Sequence, residues 1–371
     1  MFFIEFPSFI VSRSIYHILL RGHLNIHFAI LPLMKIRLGT FNLFQFAEPP
    51  YAWYTKKEKF NKREWTEKTT WIKNQIDKMD CDIIGFQEVF SKDALEKLVK
   101  ELGFEYFATA DEAKLSTNNP MKFVTTTVAL ASKYPITNMQ KVRAHTPSLK
   151  SHGYEGHFTF SRLPIKVTIT LPNEQELLVY VSHLKSNRDN AFEYIFHEAD
   201  SLEHKKELVF KTLTDKHSVA LQQRLCEAAS LFFDIRKSKS KPAVLLCDLN
   251  DKEFSLTIEA LSNHKYHDET RKESYLLEDA SYQYTQEVHN PHPEAKEPKR
   301  KPTSYFLGKG NVLDYVFISN HLSNVYEENI AEVTDYTVLD GHLQGNPNGS
   351  LLTSDHAQVV CELTFSKKEL L

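Results

Sequence analysis

The sequence predicts an α+β fold in which helices cover packed sheets. Short strand patterns outnumber helical ones, the two kinds follow no strict strand–helix–strand rhythm, and no repeat or Gly-rich linker divides the chain. The 371 residues are 42% apolar and 25% charged, which suits a globular protein with a substantial core, in one large domain or two ordinary ones.

Residues 1–33 stand apart. They are rich in Phe, Ile and Leu, but Glu5, Pro7, Arg13 and Arg21 interrupt every apolar run. None of the runs reaches the about 18 residues that a membrane span needs, and the uninterrupted apolar region of a signal peptide is missing. We expect an N-terminal extension outside the core, with a membrane-associating amphipathic stretch as the alternative. The main domain is then residues 34–371, starting at Met34-Lys35-Ile36-Arg37.

Ile36 to Leu43 alternates as a half-buried strand does. Residues 64–77 predict a helix, with Trp65, Ile72 and Ile76 at helical spacing. Asp82 to Phe86 is an apolar strand that ends in Gln87-Glu88. Ser91 is expected to cap a helix with Asp93 in its first turn and Leu95, Leu98, Val99 and Leu102 on one face, stopped by Gly103. Strands follow at 123–131, 165–171 and 177–182. The stretch from about 188 to 240 predicts a helical insertion, with Leu221, Leu225, Ala228, Phe232 and Ile235 as its clearest stripe. Further strands are expected at 243–247, 312–318 and 357–364, and the prolines of 289–302 mark a loop.

A net charge of -3 excludes a polycation that grips nucleic acid by bulk charge, so phosphate binding must come from a local patch or from bound cations. Cys81, Cys226, Cys247 and Cys361 form no C-x-x-C pair and are expected as reduced, buried thiols in a cytoplasmic protein. His264/His267 and His289/His292 have metal-pair spacing but lack flanking acidic or cysteine partners. Lys299-Arg300-Lys301 is expected as a solvated loop, or as a flank of the cleft that guides phosphate.

Polar residues fall where strands end: Asn42, Glu88, His183, Asp248 and Asn250, and then Asp355 and His356 just before the last strand. Such a pattern predicts one polar cleft at a sheet rim. Taken singly, Glu88 reads as a solvated strand end, His183 as a core histidine, and Asp248-Leu249-Asn250 as a turn. Asp314 differs, because it lies inside Leu313-Asp314-Tyr315-Val316-Phe317-Ile318. An unpaired carboxylate there would cost several kcal/mol, so it needs a donor or cation, and a protonated histidine is the obvious candidate.

Six segments, in order, resemble the endonuclease/exonuclease/phosphatase superfamily, the deoxyribonuclease-I-like proteins. They are Gly39-Thr40-Phe41-Asn42-Leu43, Ile84-Gly85-Phe86-Gln87-Glu88-Val89, Ser182-His183-Leu184-Lys185-Ser186, Cys247-Asp248-Leu249-Asn250-Asp251, Leu313 to Ile318, and Ser354-Asp355-His356. Phe160-Ser161-Arg162-Leu163-Pro164 is similar to the family's arginine-bearing segment. Thr125 to Pro135 departs from the Asn-Gly pair that many members carry before Ser-x-x-Pro.

The resemblance implies a four-layer α/β/β/α sandwich of two packed mixed, mainly antiparallel sheets with helices on the outer faces. It implies a magnesium-dependent phosphoesterase, with manganese able to substitute, that hydrolyses phosphodiesters of DNA or RNA by metal-assisted attack of water. Glu88 would be the principal metal ligand, with Asn42 and Asp355 completing the site directly or through water. Asp248 would orient or deprotonate the attacking water, and Asn250 would hold that water or a phosphate oxygen. His183 and His356 would donate to the phosphate, Asp314 would keep His356 cationic, and Arg162 and Lys185 would contact phosphate. The protein is expected to act as a monomer. One alternative is an enzyme of inositol phosphates, phospholipid headgroups or other small phosphoesters, and another is an inactive binding protein on the same fold.

Overall fold

A computed structural model describes residues 33–186, 196–216, 218–267, 277–284, 300–306 and 308–366. The chain divides into the units Met1–Pro32 and Leu33–Leu371, and all the described residues belong to the second.

Two six-stranded sheets carry the fold. The first runs β16 (Ala331–Leu339), β17 (Gln358–Phe365), β1 (Lys35–Phe46), β3 (Ile83–Val89), β7 (Thr127–Ser132) and β4 (Tyr106–Ala108). The second runs β12 (Leu277–Asp279), β15 (Asp314–Ser319), β11 (Ala243–Asp248), β10 (Glu176–His183), β9 (Ile165–Thr170) and β8 (Ile136–Lys141). Only β1–β3 and β10–β11 pair in parallel within them, so the sheets are mixed and mainly antiparallel, as expected. A small sheet of β2 (Ala52–Trp53), β6 (Asn119–Phe123) and β5 (Leu115–Ser116), and the hairpin of β13 (Ser304–Phe306) and β14 (Lys309–Asn311), complete the strands. The single strand expected at 123–131 is therefore two, β6 and β7, in different sheets.

Period-two alternation sends one set of side chains between the sheets and the other outward. Ile36 and Leu38, Val179 and Val181, Val244 and Leu246, and Val316 and Ile318 share one buried cluster between the sheets. Outside the first sheet, α1 (Lys62–Met79) and α2 (Lys92–Glu101) bury Ile72, Ile76, Leu95 and Leu98 against Phe41, Ile84 and Phe86. Outside the second sheet, α5 (Val219–Lys237) buries Leu221, Leu225, Ala228 and Ile235 against Tyr180, Leu245 and Phe317. Packed on α5 are α3 (Thr146–Ser151), α4 (Leu202–Lys216) and α6 (Leu256–Ser262). Four layers result, and α5, within the stretch expected as a helical insertion, forms the layer over the second sheet.

Two local expectations change. Ser91 precedes α2 but makes no side-chain cap bond, and its hydroxyl instead accepts the Glu48 N–H at 2.8 Å. Arg300 is not solvated. It is only 4% exposed, bonds Asp279 and the Tyr336 hydroxyl, and lies 5.3 Å and 5.8 Å from the rings of Tyr315 and Tyr336. A guanidinium is buried only with such partners, so this residue ties the start of the hairpin to β12 and β16. Lys299 lies outside the described residues. No helix among the described residues is long and apolar enough to cross a membrane.

At Gly85 the two sheets pack closely. A Cβ there would lie 3.0 Å from Leu246 Cβ and from both Val181 γ-carbons. Gly85→Val should therefore destabilise by about 1–3 kcal/mol in denaturant unfolding, although valine suits a strand better than glycine. Unchanged stability would mean that the sheet spacing does not depend on this contact.

Candidate active site

Three rows of the inter-sheet core end in ionisable residues. Val179-Val181-His183 on β10, Val244-Leu246-Asp248 on β11 and Ile318-Val316-Asp314 on β15 run side by side. The pairing register places His183 opposite Asp248 and Asp248 opposite Asp314. Directly paired residues point to the same face, so the three side chains meet.

Asp248 is the hub. Its Oδ2 accepts from Asn42 Nδ2 at 3.0 Å and lies 3.3 Å from His183 Nε2, while Oδ1 accepts the Asn250 N–H at 2.8 Å. Asn42, at the end of the Ile36-Leu38-Thr40-Asn42 row, thus bridges the two sheets. Its own Oδ1 accepts the Phe44 N–H at 3.0 Å, and the residue is fully buried. Asn42, expected to complete the metal site directly or through water, holds Asp248 by the bond from its Nδ2.

Asp314 finds the partner that its apolar surroundings demand: His356 Nδ1 lies 2.8 Å from its Oδ2. The loop is fixed by Ser354, whose hydroxyl accepts the His356 N–H at 3.0 Å and donates to Asn42 O at 2.8 Å. Ligand atoms of Asp248, Asp314 and His356 lie within 4.8 Å of one another. Burial alone would lower the His356 pKa, but Asp314 and Asp248 outweigh it and hold the imidazole well above its ordinary value. Burial raises Asp248 to about 7 against the opposing charge of His356.

Glu88 and Asp355 enter from the first sheet and the last loop. The β1–β3 and β3–β7 registers slip across Glu88, which takes a left-handed φ of 59°. Bulges of this kind re-aim a side chain at a sheet rim. Glu88 Oε2 accepts the Gln45 N–H at 3.0 Å. Burial raises Asp355 to about 6, with His356 opposing and Glu88 adding to the shift.

One cavity of ≈ 460 Å³ is lined by Glu88, Asp355, His183, Asp248, Asn250, His356, Arg162 and Lys185 together. Leu184 O accepts from both Arg162 and Asn250 Nδ2 at 3.0 Å, which fixes two walls to one carbonyl. The expected site residues thus converge, with Asn42 and Asp314 immediately behind them. The described pair, His264 and His267, does not line this cavity. His267 bonds Ala260 O at 2.8 Å and stacks on Phe232, and His289 and His292 lie outside the described residues.

Several contributors gave no sign in the motifs. Glu227 on α5 accepts the Ser161 and Lys185 N–H groups at 2.6 Å and 2.7 Å, joining the two basic segments. Arg224, one turn earlier, reaches Asp251 at 3.1 Å and Lys185 O at 3.2 Å. Lys68 on α1 is fully buried behind Glu88 and Asp355. The signal for all three was a charged residue on the buried face of an amphipathic helix.

The residues present fit a hard cation. Asp355 Oδ1 and Gln45 Oε1 are buried without a hydrogen-bond partner among the described residues, and both residues line the cavity beside Glu88. Buried oxygens without donors, one of them on a carboxylate and both beside Glu88, suit a hard divalent cation.

Solved structures share the fold. The human Nocturnin catalytic domain with bound sulfate aligns at 15% identity and a TM-score of 0.50, covering 90% of this chain and 95% of that one. A humanized D. rerio TDP2 aligns at 9% identity and 0.51, covering 89% and 99%. An endonuclease/exonuclease/phosphatase family protein from Bacteroides thetaiotaomicron aligns at 14% and 0.50, covering 91% and 98%. No match was found among curated proteins. The Endonuclease/Exonuclease/phosphatase family matches residues 39–356, from Gly39 to His356. Its span runs from the first motif-bearing strand to the histidine at the cavity, and the chain belongs to this family of phosphoester hydrolases.

Proposed function

We propose that the protein is a magnesium-dependent nuclease that hydrolyses phosphodiester bonds of DNA or RNA, with manganese able to substitute. The observation that carries this reading is the convergence of Glu88, Asp355, Asp248, Asn250, His183, His356, Arg162 and Lys185 on one cavity.

Glu88 and Asp355 would hold the cation, and Asn42 serves the site by fixing Asp248. Magnesium, when bound, supplies positive charge that offsets the phosphate oxygens. Asp248 takes a proton from the attacking water, and a carboxylate that titrates near neutrality suits this work. Asn250 orients that water or a phosphate oxygen. His183 and the cationic His356 donate to the phosphate as charge builds, with Asp314 holding the second imidazole in its donor form. Arg162 and Lys185 receive the phosphate at the cavity wall.

Aromatic rings at the same cavity support a nucleic acid as substrate. Tyr54, Tyr305 and Phe306 line it, and Phe306 is 54% exposed. Ring faces beside a phosphate site suit stacking of bases. The four thiols are free and buried, which suits a reducing, cytoplasmic setting.

Three outcomes are expected. With magnesium the purified protein cleaves single-stranded DNA, duplex DNA or RNA, and EDTA stops it; turnover confined to inositol phosphates, lipids or other small phosphoesters sinks the nuclease reading. The rate rises as pH increases through about 7, because the carboxylate form of Asp248 becomes populated there. Asp248→Asn should remove that rise and lower turnover by at least about a hundredfold with the fold intact. At the alkaline end the rate falls as His356 loses its proton, and Asp314→Asn should move that fall toward neutrality; an unmoved profile would take Asp314 out of the mechanism.

A further inference from the structure

Lys68 lies on α1, on the face that carries Ile72, Ile76 and Met79 into the core. Its Nζ donates to Phe44 O at 2.8 Å, Leu351 O at 2.8 Å and Thr353 O at 2.9 Å. Three carbonyl acceptors use all three donors of an ammonium. Burial lowers its pKa to about 7, with Glu88 and Asp355 favouring the charged form against it. The acceptors belong to two segments far apart in sequence, and each leads directly to an acidic group of the cavity. Phe44 and Gln45 both have left-handed backbone, with φ of 50° and 66°, and the Gln45 N–H then bonds the Glu88 carboxylate. Thr353 stands two residues before Asp355. The loop there is tightly folded: Gly349, at φ 66°, approaches so closely that a Cβ would lie 2.4 Å from Asp355 Cα.

We infer that Lys68 is a positioning residue, whose ammonium ties the end of β1 to the loop before Asp355 and so sets the separation of the Glu88 and Asp355 carboxylates for a divalent cation. This rests on the reading of those two carboxylates as the cation's ligands. An apolar side chain would fill the same space on α1 without the desolvation cost of a buried charge. What it cannot do is bond both segments at once. Partners that orient ligating groups from behind typically change metal affinity by about ten- to a hundredfold when removed.

Charge and geometry pull in opposite directions here. Removing a positive charge near two carboxylates would by itself tighten binding of a cation. Weaker binding after substitution therefore reports the lost strut.

The test is calorimetric titration of the full chain with magnesium chloride, for wild type, Lys68→Met and Ile76→Ala. Ile76 is buried on the same helix and does not line the cavity, so its variant reports destabilisation alone. Wild type and Ile76→Ala should bind magnesium alike, and Lys68→Met should bind at least about tenfold more weakly. Equal or tighter binding by Lys68→Met overturns the inference, as does equal weakening in both variants. If Lys68→Met shows no cooperative melting, Lys68→Gln, which keeps two donors without the charge, is read by the same rule. No magnesium binding by the folded wild type would remove the metal reading itself, and the inference with it.

Discussion

Two sheets packed face to face can exclude water with aliphatic rows only as far as the strand ends. In this protein the rows on β10, β11 and β15 end together, and their last members are His183, Asp248 and Asp314. Ionisable groups at that depth are expensive unless each finds a partner. The partners come from elsewhere in the fold: Asn42 across the sheet interface, and His356 from the loop before β17. The pairing of Asp314 with His356 satisfies a carboxylate that would otherwise oppose folding, and it keeps a cationic donor at the cavity. In the proposed reading, stability and chemistry depend on the same contact.

Behind this arrangement stand charged residues that do not line the cavity. Glu227 and Arg224 on α5 tie together the segments that carry Arg162 and Lys185, while Lys68 on α1 ties β1 to the loop that carries Asp355. Each helix layer thus places buried charge against strand ends and loops on one side of the cleft. The structural neighbours, at 9–15% identity, share the architecture and leave the substrate walls to be argued from this chain alone.

The sequence made some of this legible. A carboxylate inside Leu313 to Ile318 demands a partner whatever the fold, and the polar residues after apolar strands converge because strand ends share a rim. Other features had no local signal. β8 has a largely exposed pattern and reads as loop, since an edge strand needs no apolar alternation. In β16 a register slip between Val333 and Asp335 breaks the alternation that would have marked it. Ser91 had the right residue type for a cap, yet its hydroxyl serves a neighbouring loop. Arg300 reads as a solvated charge because its partners lie far away in sequence, and the helix face that marks Lys68 as buried gives no sign of the carbonyls it bonds.

The chemistry proposed for the cleft requires Glu88 and Asp355 to share one divalent ion. Anomalous diffraction from crystals soaked in manganese, used as a scattering stand-in for magnesium, reads this without any assay of activity. A shared ion gives a strong peak in the cavity within coordination distance of both carboxylates. A peak bound elsewhere, or a fully soaked crystal with none between these two residues, would contradict it.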